Sequence, residues 1–239
     1  LFDFYRGDAR NLRARVARVL PEWPDDDPLQ PYVLGMHAFG LEECNLYAPA
    51  EAAGREALAR DARGPWAVHA VAHVMEMQGR HADGAAWLTD RCDDWRDNGL
   101  AVHLWWHLAL FHLETLDTAA ALALFDAHIA GSSSAVNLQW LDAAALLWRI
   151  QLLGTDVGAR WQALAAEWAD PIGHAGHYAF NDMHALLALL GSGDIAAAGA
   201  LLAACIARAE VDAHDDNRQM ARTVGIPLMQ GLLAQASGD

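Results

Sequence analysis

Asn45-Leu-Tyr-Ala-Pro-Ala-Glu-Ala52, Gly79-Arg-His-Ala-Asp-Gly-Ala-Ala86 and Leu116-Asp-Thr-Ala-Ala-Ala-Leu-Ala123 are three versions of one stretch. Each has a turn, then a helix start made of small residues, then an Ala/Leu-rich run. Tyr47, His81 and Thr118 hold the same place in it, 34 and then 37 residues apart. A fourth copy opens at Gly193-Asp194-Ile195, and Ile195 lies another 77 residues on, room for two repeats of about 38. A period of this length denotes a helical hairpin that cannot bury its apolar face alone and must stack on its neighbours.

The register predicts where helices touch. Ala38, Ala50 and Ala57 in the first repeat, Ala72 and Gly84 in the second, and Ala109 and Ala121 in the third fall at contact positions. Small side chains there let helix axes approach to about 8–10 Å. The expected hairpins are 31–61, 65–92, 100–130, 138–169 and 177–210, with partial repeats at 8–20 and 217–235. Alternating β-branched runs are missing and Gly and Pro recur at hairpin rather than strand length, so no sheet is expected. The predicted fold is all-α: an α-α superhelix, a tetratricopeptide-like solenoid of antiparallel helical hairpins forming a single repeat domain over 1–239. Pro21, Pro24, Pro28 and Pro31 mark an extended linker, and Gly131-Ser132-Ser133-Ser134 a loop. The chain opens at Leu1 rather than Met and ends Ser237-Gly238-Asp239, so it reads as a fragment of a longer protein.

Composition narrows the function. The formal net charge is −15 and the 16 basic residues are all Arg, scattered singly except for Arg10, Arg13, Arg15 and Arg18. Nucleic acid is therefore not an expected partner, and without Lys there is no Schiff-base chemistry. Cys44, Cys92 and Cys205 are too few and too far apart for a disulfide framework or a thiolate metal site, and point to a reducing, cytoplasmic setting. No run reaches the roughly 18 apolar residues of a membrane span. The Arg-only, Ala-rich composition suggests a GC-rich bacterial genome. Glycine-rich phosphate loops and serine nucleophile elbows are missing. The acidic pairs and triplets Asp25–Asp27, Asp93-Asp94 and Asp215-Asp216 match no calcium-loop spacing and read as solvated surface.

Four further stretches carry a resemblance: His69-Ala-Val-Ala-His73-Val-Met-Glu76-Met-Gln-Gly79-Arg80, Trp105-Trp106-His107-Leu-Ala-Leu-Phe-His112, Asp142-Ala-Ala-Ala-Leu-Leu-Trp-Arg149 and Phe180-Asn181-Asp182-Met-His184. With them the chain resembles the tetratricopeptide repeat protein 38 family over nearly its whole length. The resemblance implies an α-helical superhelix and supplies no activity.

In a solenoid the first helix of each hairpin lines the concave wall, where ligands bind. Counting from Pro31, Pro65 and Val102, the inward residues of the second repeat are Trp66, His69, Ala70, His73, Glu76 and Met77. Those of the third include His103, Trp106, His107 and Glu114. The first contributes Tyr32, Glu42 and Glu43, and the fifth Phe180 and His184 beside Asn181 and Asp182. The candidate groove residues are thus Glu43, Trp66, His69, His73, Glu76, His103, Trp106 and His107, joined by Asp142, Asn181, Asp182 and His184. His69/His73 and His103/His107 are i, i+4 pairs, a spacing that places two imidazoles on one helix face where they can chelate a metal. The H-x-x-x-H pattern has Ala70 where a metalloprotease has Glu. The plainer reading is that the histidines hydrogen-bond across stacked helices. His81, His128 and His214 fall in turns or outer helices and read as surface, while Trp87, Trp161 and Trp168 on second helices read as core.

Two functions follow. The first is a scaffold binding a peptide, a protein segment or a small molecule in its groove, with no cofactor. The alternative is a metal-dependent or His/carboxylate acid–base enzyme at the same wall, its divalent metal held by His69, His73, His103 and His107. Convergence of His69, His73, His103, His107 and His184 around one enclosed pocket favours the second or a small-molecule binder, and spreading along an open groove favours the first. Self-association through exposed solenoid ends is a further expectation.

Overall fold

The computed structural model describes residues 2–131, 137–168, 170–211 and 216–238. Ser132, Ser133, Ser134, His214 and Asp215 lie outside them. All regular structure among the described residues is helical, with no strand. The principal helices are α1 (Ala9–Val19), α2 (Gln30–Glu42), α3 (Tyr47–Arg60), α4 (Pro65–Met77), α5 (His81–Asp90) and α6 (Ala101–Glu114). Then come α7 (Thr118–Leu124), α8 (Asn137–Leu152), α9 (Arg160–Glu167), α10 (Ala179–Ser192), α11 (Ile195–Glu210) and α12 (Ile226–Ser237). Two compact units divide the chain, Leu1–Ala121 and Leu122–Asp239. No helix of the described residues is long and apolar enough to cross a membrane.

The aligned stretches begin on residues that share a backbone conformation. Asn45, Gly79, Leu116 and Gly193 have φ of 59°, 69°, 60° and 86°, the left-handed region that ends a helix. Each turn closes with the same two bonds. Asn45 N donates to Glu42 O and Leu46 N to Leu41 O, and the pairs recur as Gly79 to Glu76 with Arg80 to Met75. They recur again as Leu116 to Leu113 with Asp117 to His112, and as Gly193 to Leu190 with Asp194 to Leu189. These are the paired 5→2 and 6→1 bonds of the Schellman motif, which satisfy carbonyls left over at a helix end. The next helix then starts at once: the side chains of Asp117 and Asp194 accept from Ala120 N and Ala197 N as N-caps. A repeated sequence thus becomes a repeated reversal of the chain.

In the first unit α3 packs against α2 and α4, and α5 against α4 and α6. Ala38, Ala50, Ala57, Ala72, Ala109 and Ala121 are at most 1% exposed, so the small residues do sit in the helix contacts. Gly84 shows why one of them has no side chain at all. A Cβ there would lie 2.2 Å from Phe111 Cζ across the α5/α6 contact. Trp87 and Trp95 complete this core, their indole N–H groups donating to the carbonyls of Val68 and Leu88. In the second unit α10 packs on α8, α9, α11 and α12. Gly191 plays there the part of Gly84, pressed against the indole of Trp161.

Candidate functional site

The first unit holds eight of the twelve candidates, seven on α4 and α6 and Glu43 at the cap that ends α2. His69 and His73 rise one turn apart on α4, and His103 and His107 one turn apart on α6. Across the contact His69 Nε2 lies 3.1 Å from His103 Nε2, and His73 Nε2 3.1 Å from His107 Nε2. His103 and His107 stand 3.3 Å apart through the same atoms. One ring nitrogen from each of the four falls within 4.8 Å of all the others. His69 and His107 are 4% and 2% exposed, while His73 and His103 are partly open.

Two carboxylates stand behind this group. His73 Nδ1 is 3.2 Å from Glu42 Oε2, and His107 Nδ1 is 3.1 Å from Glu76 Oε2. Both pairs are 31 residues apart and the two glutamates 34 apart, so one His–Glu contact is made twice by the repeat. Glu43 joins Glu42 and His73 in a second close group. These acids sit at the C-terminal ends of α2 and α4, where the helix dipole disfavours negative charge by about 0.3–1 kcal/mol each. Something positive is needed to offset that placement.

Aromatic rings frame the cluster. Phe39 lies 5.4 Å from His69 and 5.8 Å from His73 between ring centroids. Trp106 stacks on His103 at 5.3 Å and 11°. Trp66 Nε1 donates to Tyr32 Oη at 2.9 Å, and Trp66 packs edge-on to His69. Burial first, and then the charge of His73 and His103, pushes His69 and His107 well below the usual imidazole range. Burial acts the same way on His73, but the hydrogen bond and charge of Glu42, with Glu76 and Glu43, outweigh it and raise that ring. Glu43 is raised by burial and by Glu42.

Asp142, Asn181, Asp182 and His184 belong to the second unit. Asp182 is 5% exposed; both its oxygens accept from Gly176 N at 3.1 Å, and the Cys205 thiol bonds to it. Burial, then the Asp182 charge, holds that thiol at about 12, far from a nucleophile. His184 Nδ1 donates to Phe180 O at 2.8 Å, and burial lowers its pKa. Asn181 is partly buried at the start of α10. Sequence reasoning placed Glu42 on the inner wall without making it a candidate, and passed over Phe39. Both carried a signal: Phe39 precedes His73 by the repeat length of 34, as Glu42 precedes Glu76.

No protein-family model matches the chain, and no solved structure matches it.

Proposed function

We propose that this protein works through the histidine–carboxylate cluster of its first unit, as a binding or reaction centre for a small ligand, and not by clasping a peptide along an open groove. The observation that carries this is the convergence of His69, His73, His103 and His107 on one place, with Glu42 and Glu76 behind them. Peptide grooves distribute their contacts along a wall; here they are concentrated into one partly buried spot. The frame we assign is a tetratricopeptide-like superhelix of the kind implied by the resemblance to the tetratricopeptide repeat protein 38 family, a frame supported by the recurring Schellman turns. The three unpaired cysteines support a cytoplasmic setting.

A site differs from packing in what it does for stability. Polar groups that serve the fold are costly to remove, whereas a functional cluster is retained at some expense to stability. The double variant His69→Leu with His107→Leu, dialysed exhaustively against chelator, is therefore expected to melt at or above the wild-type temperature. A clear fall in Tm would return these histidines to a packing role and end the proposal.

A further inference from the structure

The arrangement of protons in the cluster leads to a specific ligand. A neutral imidazole carries one N–H. Glu76 accepts the Nδ1–H of His107, and Glu42 Oε2, 3.2 Å from His73 Nδ1, is the acid placed to draw the proton of that ring to Nδ1, which leaves both Nε2 atoms bare and facing each other at 3.1 Å. Two lone pairs at that distance repel unless something positive lies between them. One extra proton, on His73 Nε2, settles that contact but not the rest. The contacts form a chain, His73–His107–His103–His69, in which His103 can use its Nε2 either to donate or to accept. With His107 already bare, no single added proton gives each of the three contacts its own hydrogen. His69 adds a second strain, since it is buried and its Nδ1 has no hydrogen-bond partner, so the cluster supplies its one polar contact.

The spacing names the missing partner. Four nitrogens arranged tetrahedrally around one ion at the usual zinc–imidazole distance of about 2.0–2.1 Å stand about 3.3 Å from one another. Three of the six separations, at 3.1, 3.1 and 3.3 Å, match neighbouring donors on such an ion, and one ring nitrogen from each histidine lies within 4.8 Å of the other three. Carboxylate bonded to the far nitrogen is also the arrangement that fixes the tautomer of a metal-ligating histidine and strengthens it as a donor. We propose that His69, His73, His103 and His107 bind one divalent transition-metal ion through Nε2, with Glu42 and Glu76 as positioning residues. The imidazole donors select borderline ions such as zinc, copper, nickel or iron(II) over magnesium and calcium, which require oxygen ligands. Partly exposed His73, His103, Glu43 and Glu76 give the ion its way in, and the acidic flank draws a cation from solvent.

This inference rests on the small-ligand reading above and names its ligand. The test is titration of untagged, chelator-treated protein with Zn(II) and, separately, Co(II), reading stoichiometry by equilibrium dialysis and coordination by the visible spectrum of cobalt. One ion per chain is expected, with the strong visible bands of cobalt in a low-coordinate nitrogen site. His69→Gln with His107→Gln should abolish binding, while Glu42→Gln and Glu76→Gln should weaken it roughly 10- to 100-fold with stoichiometry retained. His184→Gln, in the second unit, should bind like wild type, and circular dichroism of each variant checks that its helices persist. Failure of the folded wild type to take up either ion overturns the proposal, as does uptake that survives the double His→Gln change. If the ion is refused while the His→Leu protein still melts at or above wild type, the metal is wrong and the small-ligand reading stands. A loss of Tm in that protein removes both.

Discussion

The two units bury polar side chains in opposite ways. In the second, three of them are aimed at backbone: Asp182 accepts from Gly176 N, His184 donates to Phe180 O, and the partly buried Asn217 joins Ala179 N to Gly176 O. These bonds hold the chain that leads into α10, and their partners are backbone groups of the same unit. In the first unit, the buried imidazoles of α4 and α6 are aimed at one another, and their fourth member leaves a nitrogen without a partner. Groups that close on backbone serve the fold; imidazoles that close on one another, with carboxylates behind them, form the arrangement the proposed ion would complete. Burial and residue type are alike in the two places, and direction alone separates them.

That contrast is broken most easily at Asp182. Asp182→Ala strands the Gly176 N–H in a buried place, at a cost of about 2 kcal/mol. Asp182→Asn keeps an acceptor and should cost less, all the more because burial already holds this carboxyl above its usual range, so that its charge is a burden at neutral pH. Urea unfolding of both variants gives the measurement. If Asp182→Ala is as stable as wild type, the bonds of the second unit are not structural and the distinction between the units fails.

How much of this was legible beforehand follows from the same directions. The hairpins were legible because turns and small contact residues are local: Asn45, Gly79, Leu116 and Gly193 announce the reversal in their own neighbourhoods. The i, i+4 histidine pairs were visible for the same reason. Their meeting stood only as the alternative, because turn-to-turn spacing from Gly79 to Leu116 is 37 while the paired rings are 34 apart. Helix α6 is offset against α4 by about one turn relative to the register of the turns, a displacement that side-chain packing sets. Asp182 and His184 were credited to the site by residue type, since nothing in sequence spacing says that an imidazole will turn to its own helix carbonyl or that a carboxylate will fold back six residues.

The turns sharpen the comparison further. The second unit closes its hairpins with Gly154 and Gly193, but the first places Asn45 and Leu116 in the left-handed region. Leu116 is 71% exposed, so its side chain gains little from burial while its Cβ bears the strain of that conformation, about 1–2 kcal/mol. Leu116→Gly should therefore stabilise the protein by about 0.5–1 kcal/mol once the entropy of glycine is set against the relief. Thermal melts of the variant and of Leu116→Ala, which keeps the Cβ and the strain, decide it. Equal melting temperatures for the two would mean that the left-handed turn costs nothing here.

The smallest effect concerns pH, and it tests whether the second unit's histidine is only structural. His184 is held below the ordinary imidazole value by burial, with Arg149 adding to this and Asp142 and the bond to Phe180 opposing it. A folded-state pKa lower than the unfolded value of about 6.5 means that the unfolded chain binds the proton more readily. The contribution of His184 is thus fully present above that value and is lost as pH falls below it. His184→Gln can still donate to Phe180 O but cannot titrate, so its stability should decline less steeply than that of wild type between about pH 7 and pH 5. His69 and His107 contribute in the same sense, and their part of the slope should persist in the variant, while the raised His73 works against it. Urea midpoints measured across that range should converge toward acid. Parallel curves would show that His184 takes up its proton without disturbing the fold, and the backbone bond would then have no claim to the role given it here.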